Sequence, residues 1–230
     1  IGRRQRQMCI RDRIIIYLGL SIGMLLLNVS DPINYEPFIL VSVLLSLALV
    51  PILLTKRSAP KFKKIGTMNI LELYKISPLG SVSSFCTGII HGGFFSLIAF
   101  YATKANFNLF ETSILLFIST ISGVLGQWPI GYVSDKYDRR SVIVITTFFA
   151  ALLAFLSILT SNDPIENIYW LSEMHYKKIL FFIFVGLYTS FCLPLFSLNL
   201  AHTNDFVDKN KFVAAGGGLQ LIFGLSLIHI

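Results

Sequence analysis

Residues 112–140 read TSILLFISTISGVLGQWPIGYVSDKYDRR, in which twenty-three uncharged residues run straight into Asp135, Lys136, Asp138, Arg139 and Arg140. A helix needs roughly 20 predominantly apolar residues to cross the hydrocarbon of a bilayer, and it must bond its own backbone groups because no water reaches them. The stretch 112–134 meets that length. So does SVIVITTFFAALLAFLSILT (141–160), on the far side of the charges. Two spans joined by a short charged loop are the structure these residues predict.

The same alternation extends over the whole chain. Apolar blocks fall at about 14–30, 37–54, 79–102, 112–134, 141–161 and 178–200, with a seventh that opens near 213 and is cut short. Charges sit in the gaps. Only 13% of the 230 residues are charged and 54% are hydrophobic, against about a quarter charged in soluble domains. A soluble helix would also need a polar face at the 3.6-residue period, and long stretches here have none. The expected fold class is all-α, a polytopic transmembrane helical bundle of six full spans and a truncated one. Asp31-Pro32, Pro60 and Asp163-Pro164 stand between blocks, as expected where helices end.

The termini call for separate treatment. Residues 3–13 read RRQRQMCIRDR and the chain stops in LSLIHI, 225–230. Each string is the translation of one end of a transposon-insertion sequencing adapter, so residues 1–13 and 225–230 are expected to be adapter-derived. Survival of both strings in longer contigs after adapter trimming would refute this. Arg3, Arg4, Arg6, Arg11 and Arg13 against Asp12 account for four of the formal net charge of +7. Of the three cysteines, Cys9 falls in that segment. Cys86 and Cys192 lie singly inside apolar blocks, with neither a disulfide framework nor a metal spacing.

Fourteen basic residues remain. Lys56, Arg57, Lys61, Lys63, Lys64, Lys75, Lys136, Arg139, Arg140, Lys209 and Lys211 fall in loops on one side, and Lys104, Lys177 and Lys178 on the other. Eleven against three orients the chain by the positive-inside rule. Loops 55–77, 135–141 and 201–212 are then cytoplasmic, and the protein is a multi-pass protein of the plasma or inner membrane. The loop 55–77 is the longest. Its first half is basic, and Ile65 to Ile76 could form a short helix lying along the membrane surface, either as a plain connector holding anionic lipid headgroups or as a linker between two bundles.

The pattern Gly131-x-x-x-Asp135-x-x-Asp138-Arg139-Arg140 resembles the signature loop of the major facilitator superfamily, written G-x-x-x-D-x-x-G-R-[KR]. It departs from that signature at Asp138, where Gly is commonest. QWPIGYVSDKYDRR, with HGGFFSLIAFYA before it and LAHTND after, is similar to the YcaD-like group of that family over nearly all of 14–224. The resemblance implies the major facilitator fold and secondary active transport of a small solute by alternating access. In the family the loop follows the second and eighth spans. With 55–77 as the inter-half linker, the blocks become spans five to eleven: 14–54 closes the N-terminal half and 78–224 opens the C-terminal half. Gly131 would permit close helix approach near the membrane edge. Asp135 would accept from backbone N–H groups or pair with Arg139, and the cluster Gly131, Asp135, Asp138, Arg139 and Arg140 would latch one conformation.

An ionisable group at mid-membrane marks function. None of the twelve acids sits there; His91, halfway along 79–102, does. Either His91 binds substrate or relays a proton, or it is a neutral imidazole bonded to a neighbouring span. Tyr188 is the next candidate for the transport pathway, with core packing as its alternative; it shares a helix face with Cys192, and Pro194 can bend that helix. His202, Asn204 and Asp205 lack the second cluster a metal site needs, and no metal or cofactor is expected. An intramembrane enzyme would need a nucleophile and base or paired acids, a retinal protein would need a lysine within a span, and a nucleic-acid binder would need a soluble basic domain; all three are absent, and no enzymatic activity is expected. The alternative to a transporter is a transporter-like receptor or scaffold without flux. The expected partners are the lipid bilayer and a small-molecule substrate, with a coupled proton or ion, and the complete protein is expected to be monomeric.

Overall fold

In the computed structural model the described residues are 2–29, 33–56, 68–160 and 174–227. They form helices α1 (Gly2–Leu25), α2 (Glu36–Leu53), α3 (Ile70–Ile76), α4 (Pro78–Lys104), α5 (Leu109–Lys136), α6 (Arg139–Thr160), α7 (Met174–Cys192), α8 (Leu195–Asn204) and α9 (Phe212–Leu227). Short 3-10 turns occur at Leu26–Asn28 and Lys209–Lys211. The basic residues Arg57, Lys61, Lys63 and Lys64, Pro60, the pair Asp31-Pro32 and the pair Asp163-Pro164 lie outside the described residues.

Five described stretches are long and apolar enough to cross a membrane: Glu36–Leu53, Pro78–Lys104, Leu109–Lys136, Arg139–Thr160 and Lys177–Asn204. The last joins α7 and α8 across Leu193-Pro194. Pro194 has no N–H to give the carbonyl of Ser190, so the ladder stops and restarts there. The block 14–30 is helical but tightens into a 3-10 turn at Leu26, and the polar segment ahead of it keeps α1 off that list. The block after 213 forms α9, sixteen residues as described.

Two packing groups build the bundle. In the first, α5, α6 and α7 pack on one another and α1 lies along α5. In the second, α4, α8 and α9 pack together, and α8 also touches α6 through Val142, Ile143, Leu195 and Leu198. No residue of α2 is buried. A core of Ile98, Ala102, Phe107, Leu115, Leu116, Phe181 and Val185 holds α4, α5 and α7 at one end. A second core of Leu73, Val207, Ala215, Leu219 and Ile222 closes the other end.

The short helix expected in 65–76 forms at Ile70–Ile76, and it docks on the bundle end. Leu73 is fully buried in that second core, and Lys211 meets Glu72 at 2.8 Å. Glu72 is held below the usual carboxylate range by the Lys211 hydrogen bond and charge, and Lys211 is raised by the same contact.

Local sequence explains the α4–α5 connection. Asn106 takes φ 56, a left-handed turn that Asn tolerates better than most residues. Asn108 and Glu111 then form a capping box: the Glu111 N–H donates to Asn108 Oδ1 at 2.8 Å, and the Asn108 N–H donates to Glu111 Oε2 at 3.0 Å. Within the spans, many hydroxyls donate back to the preceding turn, as Thr87 does to the Ser83 carbonyl and Thr146 to that of Val142, each at 2.6 Å. Among the polar contacts that cross between elements are Ser21 to Thr120 at 2.9 Å, Asn28 to Ser113 at 2.6 Å and Asn199 to Thr87 at 3.1 Å.

Candidate functional site

The loop between α5 and α6 is two residues long, so Asp135, in the last turn of α5, and Arg139, opening α6, stay within reach. Tyr137 takes φ −115 and ψ 168, an extended link, and its N–H donates to the Val133 carbonyl at 3.0 Å. Asp138 is the cap of α6. Its carboxylate accepts from the Ser141 N–H and hydroxyl, each at 3.3 Å, and its carbonyl accepts from the Val142 N–H at 3.1 Å. The position commonly filled by Gly therefore needs no positive φ here, and Asp supplies a capping oxygen that Gly lacks.

Arg139 is the centre of the cluster. It is 8% exposed, an unusual state for an arginine unless it is paired. Its Nε donates to Asp205 Oδ2 at 2.8 Å and a terminal nitrogen reaches Asp135 Oδ1 at 3.4 Å. One guanidinium therefore ties the end of α5 and the start of α6 to the end of α8. A cavity of about 340 Å³ opens beside it, lined by Asp135, Asp138, Arg139, Arg140, His202 and Asp205, among others. Arg140 sits over the Phe206 ring at 5.9 Å, and His202 meets the same ring edge-on at 5.0 Å. His202 and Asp205 thus join the arginines. Among the described residues no three His, Cys, Asp or Glu side chains are grouped to hold a metal ion.

Asp205 was missed as a partner of the motif. The one signal available was its place at the end of a span on the same basic side as Arg139, where a carboxylate among cations needs a counter-charge.

Gly131 is half-buried. A close approach on α5 lies earlier, at Gly126, where a Cβ would collide with the Ser190 backbone carbonyl of α7. The absent side chain brings the two backbones together.

His91 is buried on α4, and its Nε2 lies 3.1 Å from the carbonyl oxygen of Cys192. A carbonyl only accepts, so Nε2 carries the proton in this contact. Cys192 ends α7, where carbonyls have run out of helical partners, so the imidazole caps the broken span. Tyr188, one turn earlier, is half-buried. Its hydroxyl accepts from the Cys192 thiol at 3.5 Å, and its ring lies 5.5 Å from that of Phe94. The two candidates therefore converge on Cys192 at the break, some distance along the bundle from the Arg139 cluster.

The family model described as Major Facilitator Superfamily matches residues 13–228. The protein of Escherichia fergusonii called uncharacterized MFS-type transporter YcaD is 25% identical over 150 residues, 64% of this chain and 38% of the relative. An uncharacterized MFS-type transporter of Yersinia enterocolitica is 26% identical over 140 residues, 60% of this chain and 37% of the relative. The chain thus spans under two-fifths of the length of these relatives. No solved structure matches. With a bundle of membrane-length helices, the Gly131–Arg140 loop closed on a buried arginine, and a family match from residue 13 to 228, the chain belongs to the Major Facilitator Superfamily.

Proposed function

We propose that the chain is the middle of a secondary transporter that moves a small solute by alternating access, and that Arg139 is its cytoplasmic latch. The observation that carries this is the buried guanidinium bonded to Asp205 and reaching Asp135, on three helix ends that must part when that side opens. Such a cluster has two discrete states, closed and broken, as rocking of bundle against bundle requires. In this proposal 14–54 are the last two spans of an N-terminal half, 55–77 is the linker and 78–224 belong to the C-terminal half. The lack of any buried residue on α2 fits a helix whose neighbours are further spans of that same N-terminal half. His91 and Tyr188 are assigned to the α7–α8 break, with His91 as the group to test for proton coupling.

The test is uptake into proteoliposomes by the complete reading frame, screened over solute classes with and without a proton gradient. For a solute so found, Arg139→Ala and Asp205→Asn are each expected to slow uptake about tenfold. Unchanged rates in both would overturn the latch. His91→Gln keeps a donor for the Cys192 carbonyl but cannot take up a proton. Gradient-driven uptake that survives this change would make His91 a cap and nothing more.

A further inference from the structure

Helices α5, α6 and α7 leave between them a groove of about 320 Å³ on the outer flank of the bundle. Ile130 and Val133 of α5 and Ile145 and Phe149 of α6 wall it, and Ser190 and Phe191 of α7 form its floor. Val133, Ile145 and Phe149 are exposed, so the groove faces outward. The Phe149 and Phe191 rings, both lining it, stack at 5.6 Å with planes 26° apart. The two hydroxyls within it are already used: Thr146 donates to the Val142 carbonyl and Ser190 to that of Leu187, at 2.6 and 2.7 Å. No side-chain hydroxyl is left to bind a polar solute, and the fit is to hydrocarbon.

No charged side chain lines the groove, and the nearest lysine on α5 follows just beyond Val133. The stripe Pro129, Val133 continues at helical spacing to Lys136, whose Nζ lies 4.3 Å over the Tyr132 ring. Tyr132 stacks on Trp128 at 6.1 Å and 20°, and both rings are exposed. Stacked exposed aromatics with a lysine above them make up a membrane–water boundary. Asp135, the neighbouring acid, is engaged with Arg139 on the other side of α5.

We propose that this groove holds the acyl chain of an anionic phospholipid whose headgroup is bound at Lys136. The lipid would lie against the α5–α6 hairpin, directly beneath the loop that presents Arg139.

The 230-residue chain, purified in detergent, is given equal amounts of phosphatidylglycerol and phosphatidylcholine with identical acyl chains and examined by native mass spectrometry. Retention of phosphatidylglycerol is expected to exceed that of phosphatidylcholine about fivefold, the preference that one basic residue confers at an anionic surface. Lys136→Gln should erase the preference while both lipids still bind. Lys104→Gln, which removes a charge at the opposite end, should leave the preference intact. Ile145→Trp, filling the groove, should lose both lipids with helicity preserved, and Val133→Phe repeats the filling from the other wall. Equal retention by the unaltered chain, a preference that survives Lys136→Gln, or a dimer of the chain that retains neither lipid would each overturn the proposal.

Discussion

Arg139 and Asp205 meet at 2.8 Å at one end of the bundle, and Lys178 and Glu111 meet at 2.7 Å at the other. Distance does not separate these pairs, but their surroundings do. The Arg139 side chain is 9% exposed, whereas Lys178 and Glu111 are each more than a quarter exposed. An ion pair in contact with water exchanges one set of hydrogen bonds for another and gains little. A buried guanidinium has lost its water and depends on its partners, so removing one side leaves an uncompensated charge. The difference also has a use. Glu111 is already fixed by its capping box with Asn108, and Lys178 further rests 4.8 Å over the Phe107 ring. That end is a brace. The Arg139 end joins three separate helix ends through one side chain, which suits a joint that opens.

The sharpest way to break this contrast is Arg139→Ala. It is expected to destabilise the chain in detergent by about 2–3 kcal/mol, less than for a fully enclosed pair because both carboxylates reach water. Arg139→Lys keeps the charge but loses the fork and should recover only part of that. Unfolding in SDS titration measures both, and a cost no larger than that of Lys178→Met would remove the distinction. Asp138→Ala should cost about 1 kcal/mol as a lost helix cap, whereas Asp138→Gly should cost only about 0.3 kcal/mol. Equal losses would show that the capping carboxylate does not explain Asp at this position. Lys178→Met is expected to cost under about 1 kcal/mol, including its contact with Phe107.

The smallest effect belongs to Glu72 and Lys211, where no change in Tm is expected for Glu72→Gln near neutral pH. This pair should instead show in pH. Glu72 titrates below its ordinary range when folded, so its contribution is present above that range and lost as pH falls through the lowered value. Lys211 titrates above its ordinary range, so its contribution is lost only as pH rises through the raised value. Docking of α3, followed by a spin label at Tyr74→Cys, should hold between those limits and loosen at both.

The placement of the spans was legible because hydrocarbon demands long uncharged runs, and 79–102, 112–134 and 141–161 sit within α4, α5 and α6 to within a residue or a few at each end. Asp135 and Arg139 were legible as a pair because four residues on adjoining helix ends keep them near. Asp205 was not, since it lies sixty-six positions from Arg139 and only the packing of α6 against α8 brings the two together. Pro194 announced a bend, and a His91 imidazole bonded to a neighbouring span was one of two readings, but the sequence did not indicate that its partner would be the Cys192 carbonyl at that bend. The docking of α3 was hidden for the same reason. A seven-residue helix looks like a surface segment until Leu73 finds a site under α9.

Hydropathy marks α2 and the Lys177–Asn204 span almost equally, yet none of α2 is buried while half of the other span is. This bears on how the chain is made. Beyond Glu36, α2 presents to lipid aliphatic and aromatic side chains and two serines, of which Ser46 donates to the Ser42 carbonyl, so its insertion leaves little polar cost. Helix α4 has a different itinerary. Ser81 and Thr87 donate to carbonyls of their own chain segment, but the buried His91 bonds the Cys192 carbonyl of α7, and in lipid without α7 that imidazole would face hydrocarbon with its N–H unsatisfied. An order of biogenesis is expected from this: the sequence of α2 does nothing to delay its release into lipid, whereas α4 is expected to be held back until α7 brings the Cys192 carbonyl to His91.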